Sequence, residues 1–112
     1  MLAALGKTDN AFVSVNASQT DSEVVGAVTG KKIRVHALVL QCAGTATTAV
    51  FNTKGSGAGT AISMTFANGA NGGAVLPLID HPGWFETAAG EALTVTTGAG
   101  SATGIQVVYS EA

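Results

Sequence analysis

A chain of 112 residues holds one domain and is too short for two ordinary ones. Hydrophobic residues make up 46% and charged residues 11%, against roughly 25% charged in an average globular protein, so a core is within reach while Thr, Ser, Asn, Gly and Ala must cover the surface or be buried against other chains. A net charge of −2, with only Lys31, Lys32 and Arg34 close together, argues against a nucleic-acid footprint, and no run approaches the ~20 apolar residues of a membrane-spanning helix.

In chain order, MLAALGKTDN starts apolar but places its lysine after the apolar run and develops no signal-peptide core. The expectation is a mature chain that begins at Met1 and is made in a cytoplasm. AFVSVNA (11–17) alternates, with Ala11, Val13 and Val15 on one face and Phe12, Ser14 and Asn16 on the other. SEVVGAV (22–28) is a weaker strand interrupted by Gly26, and residues 29–32 form a turn. KIRVHALVLQC (32–42) is the longest strand signal, with Ile33, Val35, Ala37 and Val39 on one face and Arg34, His36, Leu38 and Leu40 on the other. The single cysteine, Cys42, ends this run and reads as a buried structural thiol.

TATTAVFNTK (45–54) suits a pleated surface. TAISMTFA (60–67) predicts a further strand with Ile62, Met64 and Phe66 on one side, and Asn68-Gly69 and Asn71-Gly72-Gly73 predict turns. GAVLPLI (73–79) is a strand that Pro77 restricts to an edge or an end. EALTVTTG (91–98) and GIQVVYSEA (104–112) complete the set, the last alternating Ile105, Val107 and Tyr109. About eight short strands with regular turn signals predict an all-β antiparallel sandwich, a jelly roll being favoured and an immunoglobulin-like sandwich the alternative. The predicted organisation is an N-terminal arm over 1–10 and a single sandwich domain over 11–112.

Chemistry has little material. KGSGAGT (54–60) resembles a phosphate loop only superficially, since it leads into a strand and its lysine precedes the glycines. Asp80, His81 and Glu86 lack the second histidine or cysteine pair of a metal site, and no serine sits on a strand–turn–helix elbow. The expectation is therefore no catalytic residue, no metal and no cofactor. Trp84, the only tryptophan, and Phe85 could pack in the core, anchor a subunit interface, or stack on sugar; Tyr109 is considered with them.

The pattern Lys31-x-Ile33-x-Val35-x-Ala37-Leu38-Val39-Leu40, the Pro77 strand, Gly83-Trp84-Phe85-x-Thr87, Gly90-x-Ala92-Leu93 and Gly104-x-x-Val107-Val108-Tyr109 together resemble small all-β structural proteins of tailed bacteriophages. The resemblance covers roughly residues 31 to 110 and includes no catalytic signature. It implies a non-enzymatic virion protein on the capsid surface: a decoration, or cement, protein acting as a homotrimer that bridges subunits of the major capsid protein. In that reading the segment MLAALGKTDNAF, the arm together with the first two residues of the domain, supplies capsid contacts through Leu2, Leu5, Lys7 and Phe12. The alternatives are a tail or fibre component, such as a receptor-binding knob, and a carbohydrate-binding module.

Overall fold

The computed structural model describes residues 8–112, so Leu2, Leu5 and Lys7 of the expected arm lie outside the described residues. Ten strands follow one another: β1 (Asp9–Val15), β2 (Ser22–Val25), β3 (Ile33–Cys42), β4 (Thr47–Lys54), β5 (Thr60–Ala61), β6 (Phe66–Asn68), β7 (Gly73–Leu76), β8 (Phe85–Glu86), β9 (Ala92–Thr97) and β10 (Thr103–Glu111). They form two antiparallel sheets packed as a sandwich. Sheet A has the order β1-β10-β3-β7 with β8 also paired to β3; sheet B has the order β2-β9-β4-β5 with β6 also paired to β4. No helix occurs among the described residues. β1 begins at Asp9, so the last two residues assigned to the arm belong to the sheet.

The most apolar strands lie at the centres of the sheets, where both edges find partners. β3 and β10 deliver Ile33, Val35, Leu38, Leu40, Ile105 and Val107 to the core, and β4 and β9 answer with Ala49, Phe51, Leu93 and Val95. Phe51 has no exposed surface. It stacks on Phe85 at 5.4 Å between ring centroids and meets Phe66 edge-on at 6.0 Å, so three of the four phenylalanines form one aromatic centre. Cys42 is buried, and its thiol donates to the Gly69 carbonyl at 2.9 Å. β7 stops at Leu76, immediately before Pro77, which has no N–H to continue a ladder.

Strict alternation along β3 fails at one residue. Ala37 pairs with Val108 and Val35 with Tyr109, so His36 is an extra residue with no counterpart on β10. One inserted residue flips every side chain beyond it to the other face. Ile33 and Val35 are buried, but past the bulge the core takes Leu38, Leu40 and Cys42, while Val39, expected on the same face as Ile33 and Val35, emerges with 49% of its surface exposed.

The stretch 60–67 is likewise not one strand. The Ser63 hydroxyl accepts the Phe51 N–H at 2.9 Å and donates to the Met64 carbonyl at 2.8 Å, taking the place of a ladder bond. Phe66 is buried, whereas Met64, expected on the same side, is 71% exposed. This break and the two-residue β8 account for ten strands rather than about eight.

Candidate interaction surface

Because one face of sheet A fills the core, alternate residues of its strands stand on the opposite face. The register places Phe12 of β1 beside Gln106 of β10, Gln106 beside Val39 of β3, and Val39 beside Val75 of β7. These four residues form one row straight across the sheet. Phe12 is 80% exposed, Val39 49% and Val75 68%, an unusual concentration of apolar surface for a free face. The next row is Ser14, Gly104, Gln41 and Gly73, and the row on the other side begins Asn10, Val108 and Ala37. None of these residues carries a charge. Gly73 is required here: a Cβ at this position would collide with the Leu40 carbonyl and the Gln41 backbone, so glycine lets β7 close on β3 and keeps the surface low.

The other end of the same sheet is charged. Lys32 and Arg34 hold Glu86 at 3.2 and 2.9 Å, and the Arg34 hydrogen bond, helped by Lys32, keeps the Glu86 carboxyl below its usual range against the opposing effect of burial. His36, 2% exposed, has Nδ1 3.0 Å from the Ile79 carbonyl and Nε2 2.8 Å from the Ser110 hydroxyl. The carbonyl can only accept, so Nδ1 carries a proton. The Ile79 N–H returns a bond to the His36 carbonyl, and the Trp84 N–H bonds the Val35 carbonyl, which ties the segment 77–84 to β3.

The structure separates Trp84 from Phe85. Phe85 is half-buried against Phe51 and the core. Trp84 is 40% exposed, and its indole Nε1 donates to the Pro77 carbonyl at 2.7 Å. Tyr109 is half-buried against the core; burial, with Asp9 and Glu111 nearby, pushes its hydroxyl pKa up. Glu86 turns to Arg34 and Lys32 rather than to His81. Among the described residues no group of three or more His, Cys, Asp or Glu is placed to hold a metal ion.

No family model, curated protein or solved structure matches the chain.

Sheet B presents a different exterior. Asp21 Oδ1 accepts from Asn52 at 3.0 Å and Thr94 at 3.1 Å, and Oδ2 accepts from the Gly59 N–H at 3.0 Å. The Asp21 N–H in turn donates to Thr96 Oγ1 at 3.1 Å. The Gly59 bond, with those from Thr94 and Asn52 and the charge of Lys54, lowers the Asp21 pKa below its usual value despite some desolvation. This face is a closed polar network, whereas the row on sheet A has its apolar side chains unpartnered among the described residues.

The Asp21 network has a pH signature. A carboxyl whose pKa is depressed by folding adds stability above its unfolded pKa and loses it as pH falls through the folded value. Asp21→Asn is expected to cost about 1 kcal/mol at pH 7, a modest figure because the group is partly open to water. The deficit should begin to shrink below about pH 4, where the carboxyl of the unfolded chain protonates, and close as pH falls through the lower folded value. Urea titrations at pH 7 and pH 3 check this; equal deficits at both would contradict it.

Proposed function

We propose that the protein is a non-enzymatic structural protein of a tailed-bacteriophage particle: a decoration protein that binds the outer capsid surface as an oligomer and stabilises the shell. The observation that carries this reading is the uncharged row Phe12–Gln106–Val39–Val75, which would be the docking surface. The sequence resemblance and the 11% charge content support it in the same direction. An uncharged face loses little when stripped of water and gains from every apolar contact, so it suits a flat partner surface that is itself uncharged and apolar.

The size of the face explains the need for an oligomer. Four strands about 4.8 Å apart and five residues at ~3.3 Å each cover roughly 300 Å², or about 600 Å² counting both partners. Stable interfaces bury ~1,200–2,000 Å². One copy therefore holds weakly, and linked copies on a repeating lattice convert weak contacts into useful avidity. Binding only to the assembled lattice then stabilises that lattice by mass action.

Particles of the encoding phage that lack the protein are expected to lose resistance to heat and chelators, and to regain it when purified protein is added. Unchanged resistance would overturn the reading. A sugar-binding role has one observation in its favour, the exposed Trp84 ring; a glycan array silent to the protein removes it.

A further inference from the structure

The strand edges of the sandwich are not alike. A free edge offers unpaired N–H and C=O groups to any other strand, and proteins blunt edges with shortness, charge, proline or bulges. β7 has four residues and runs into Pro77. β2 has four residues, a charged Glu23 and a register shift between Glu23 and Val25. β5 and β6 have two and three residues. β1 has seven residues in unbroken register with β10, without proline or bulge, and its one charge is Asp9 at the first position. Among the described residues it has no partner on its other side.

We propose that β1 is the contact through which two copies of this chain pair, antiparallel, about a two-fold axis at Phe12. The strand is complementary to itself. Phe12 is the midpoint of Asp9–Val15, so the axis sets Phe12 opposite Phe12 of the second copy, Asn10 opposite Ser14, and Asp9 opposite Val15. The two Asp9 carboxylates then stand at opposite ends of the pairing, about 20 Å apart at ~3.3 Å per residue, with no charge between them. Directly opposed aromatic side chains add to backbone pairing. No residue from Asn10 to Val15 asks for a partner of opposite charge, so a second copy meets every requirement the strand sets.

The consequence is continuity. Joining the two β1 strands carries the row Phe12–Gln106–Val39–Val75 across eight strands and doubles the uncharged face. The inference deepens the proposed function by supplying its oligomer, and the pairing is two-fold where the phage resemblance implies three-fold. Its failure is separable, because the cross-linking below involves no capsid.

The purified full chain is expected to sediment at twice 11.0 kDa, with the dimer–monomer midpoint shifted at least tenfold upward in concentration by Phe12→Lys, which opposes two like charges across the axis. Under mild oxidation Phe12→Cys should cross-link to itself. Asn10→Cys and Ser14→Cys should not do so alone, but a mixture of the two should. Wild type, whose Cys42 is buried, should not cross-link. Deleting residues 1–7 should leave the dimer intact. A monomer at all concentrations, self-cross-linking of Asn10→Cys, a dimer that survives Phe12→Lys unchanged, or a dimer lost with residues 1–7 would each overturn the proposal. Capsid binding without cross-linking removes the pairing alone; cross-linking without capsid binding removes the capsid reading alone.

Discussion

Phe51→Ala is expected to destabilise the fold by about 3–5 kcal/mol, the range for emptying a fully buried aromatic site. The ring has no exposed surface, stacks on Phe85 and meets Phe66 edge-on at an interplanar angle of 79°. Its backbone is held as firmly: the N–H donates to Ser63 and the carbonyl accepts from Ile62. The site therefore cannot collapse easily around an alanine. Domains of this kind hold ~5–15 kcal/mol in total, so the variant should sit near the edge of unfolding at room temperature. Phe51→Leu, which keeps much of the volume, should retain most of the stability. Urea or thermal denaturation measures both, and a loss under about 1 kcal/mol for Phe51→Ala would contradict the aromatic centre described above.

The second large effect concerns binding rather than folding. Val39 and Val75 are direct cross-strand neighbours, 49% and 68% exposed. Exchanging them for Lys and Glu, Val39→Lys with Val75→Glu, keeps the net charge and supplies a favourable cross-strand pair. Stability should move by less than about 1 kcal/mol. Docking against an apolar surface would strip water from both new charges, and affinity for the capsid should fall by about 100-fold, near 2.7 kcal/mol. Co-sedimentation with capsids lacking the native protein reads this directly. Affinity within a few-fold of wild type would exclude Val39 and Val75 from the contact.

How far these features can be read from sequence depends on their range along the chain. The all-β class follows from local signals: β-branched runs, Asn-Gly turns, and a Pro77 whose strand lies at a sheet edge, although that strand stops at Leu76 rather than running to residue 79. Phe12 on the face away from Val13 and Val15 follows from simple alternation, and in the structure Phe12 is exposed and Val15 buried. Val39 is a different case. It reached the surface because β10 leaves His36 without a counterpart, a property of the pairing and not of either strand alone. The Asp21 network joins residues 31, 38 and 73 positions apart, with nothing local to announce it. The row itself spans four strands that the chain visits out of order, β1, β10, β3 and β7, so only the register assembles it. Trp84 and Phe85 were one feature by sequence; the short β8, which begins at Phe85, sends Phe85 towards Phe51 and leaves Trp84 beside Pro77.

A reconstruction of the particle would show where the protein sits and which face it turns to the shell. The proposal predicts density for the protein on the outside of the capsid, with Phe12, Gln106, Val39 and Val75 facing the shell and the Asp21 network facing solvent. Density confined to the tail, or a copy on the shell that turns the Asp21 face towards it, would contradict the assignment.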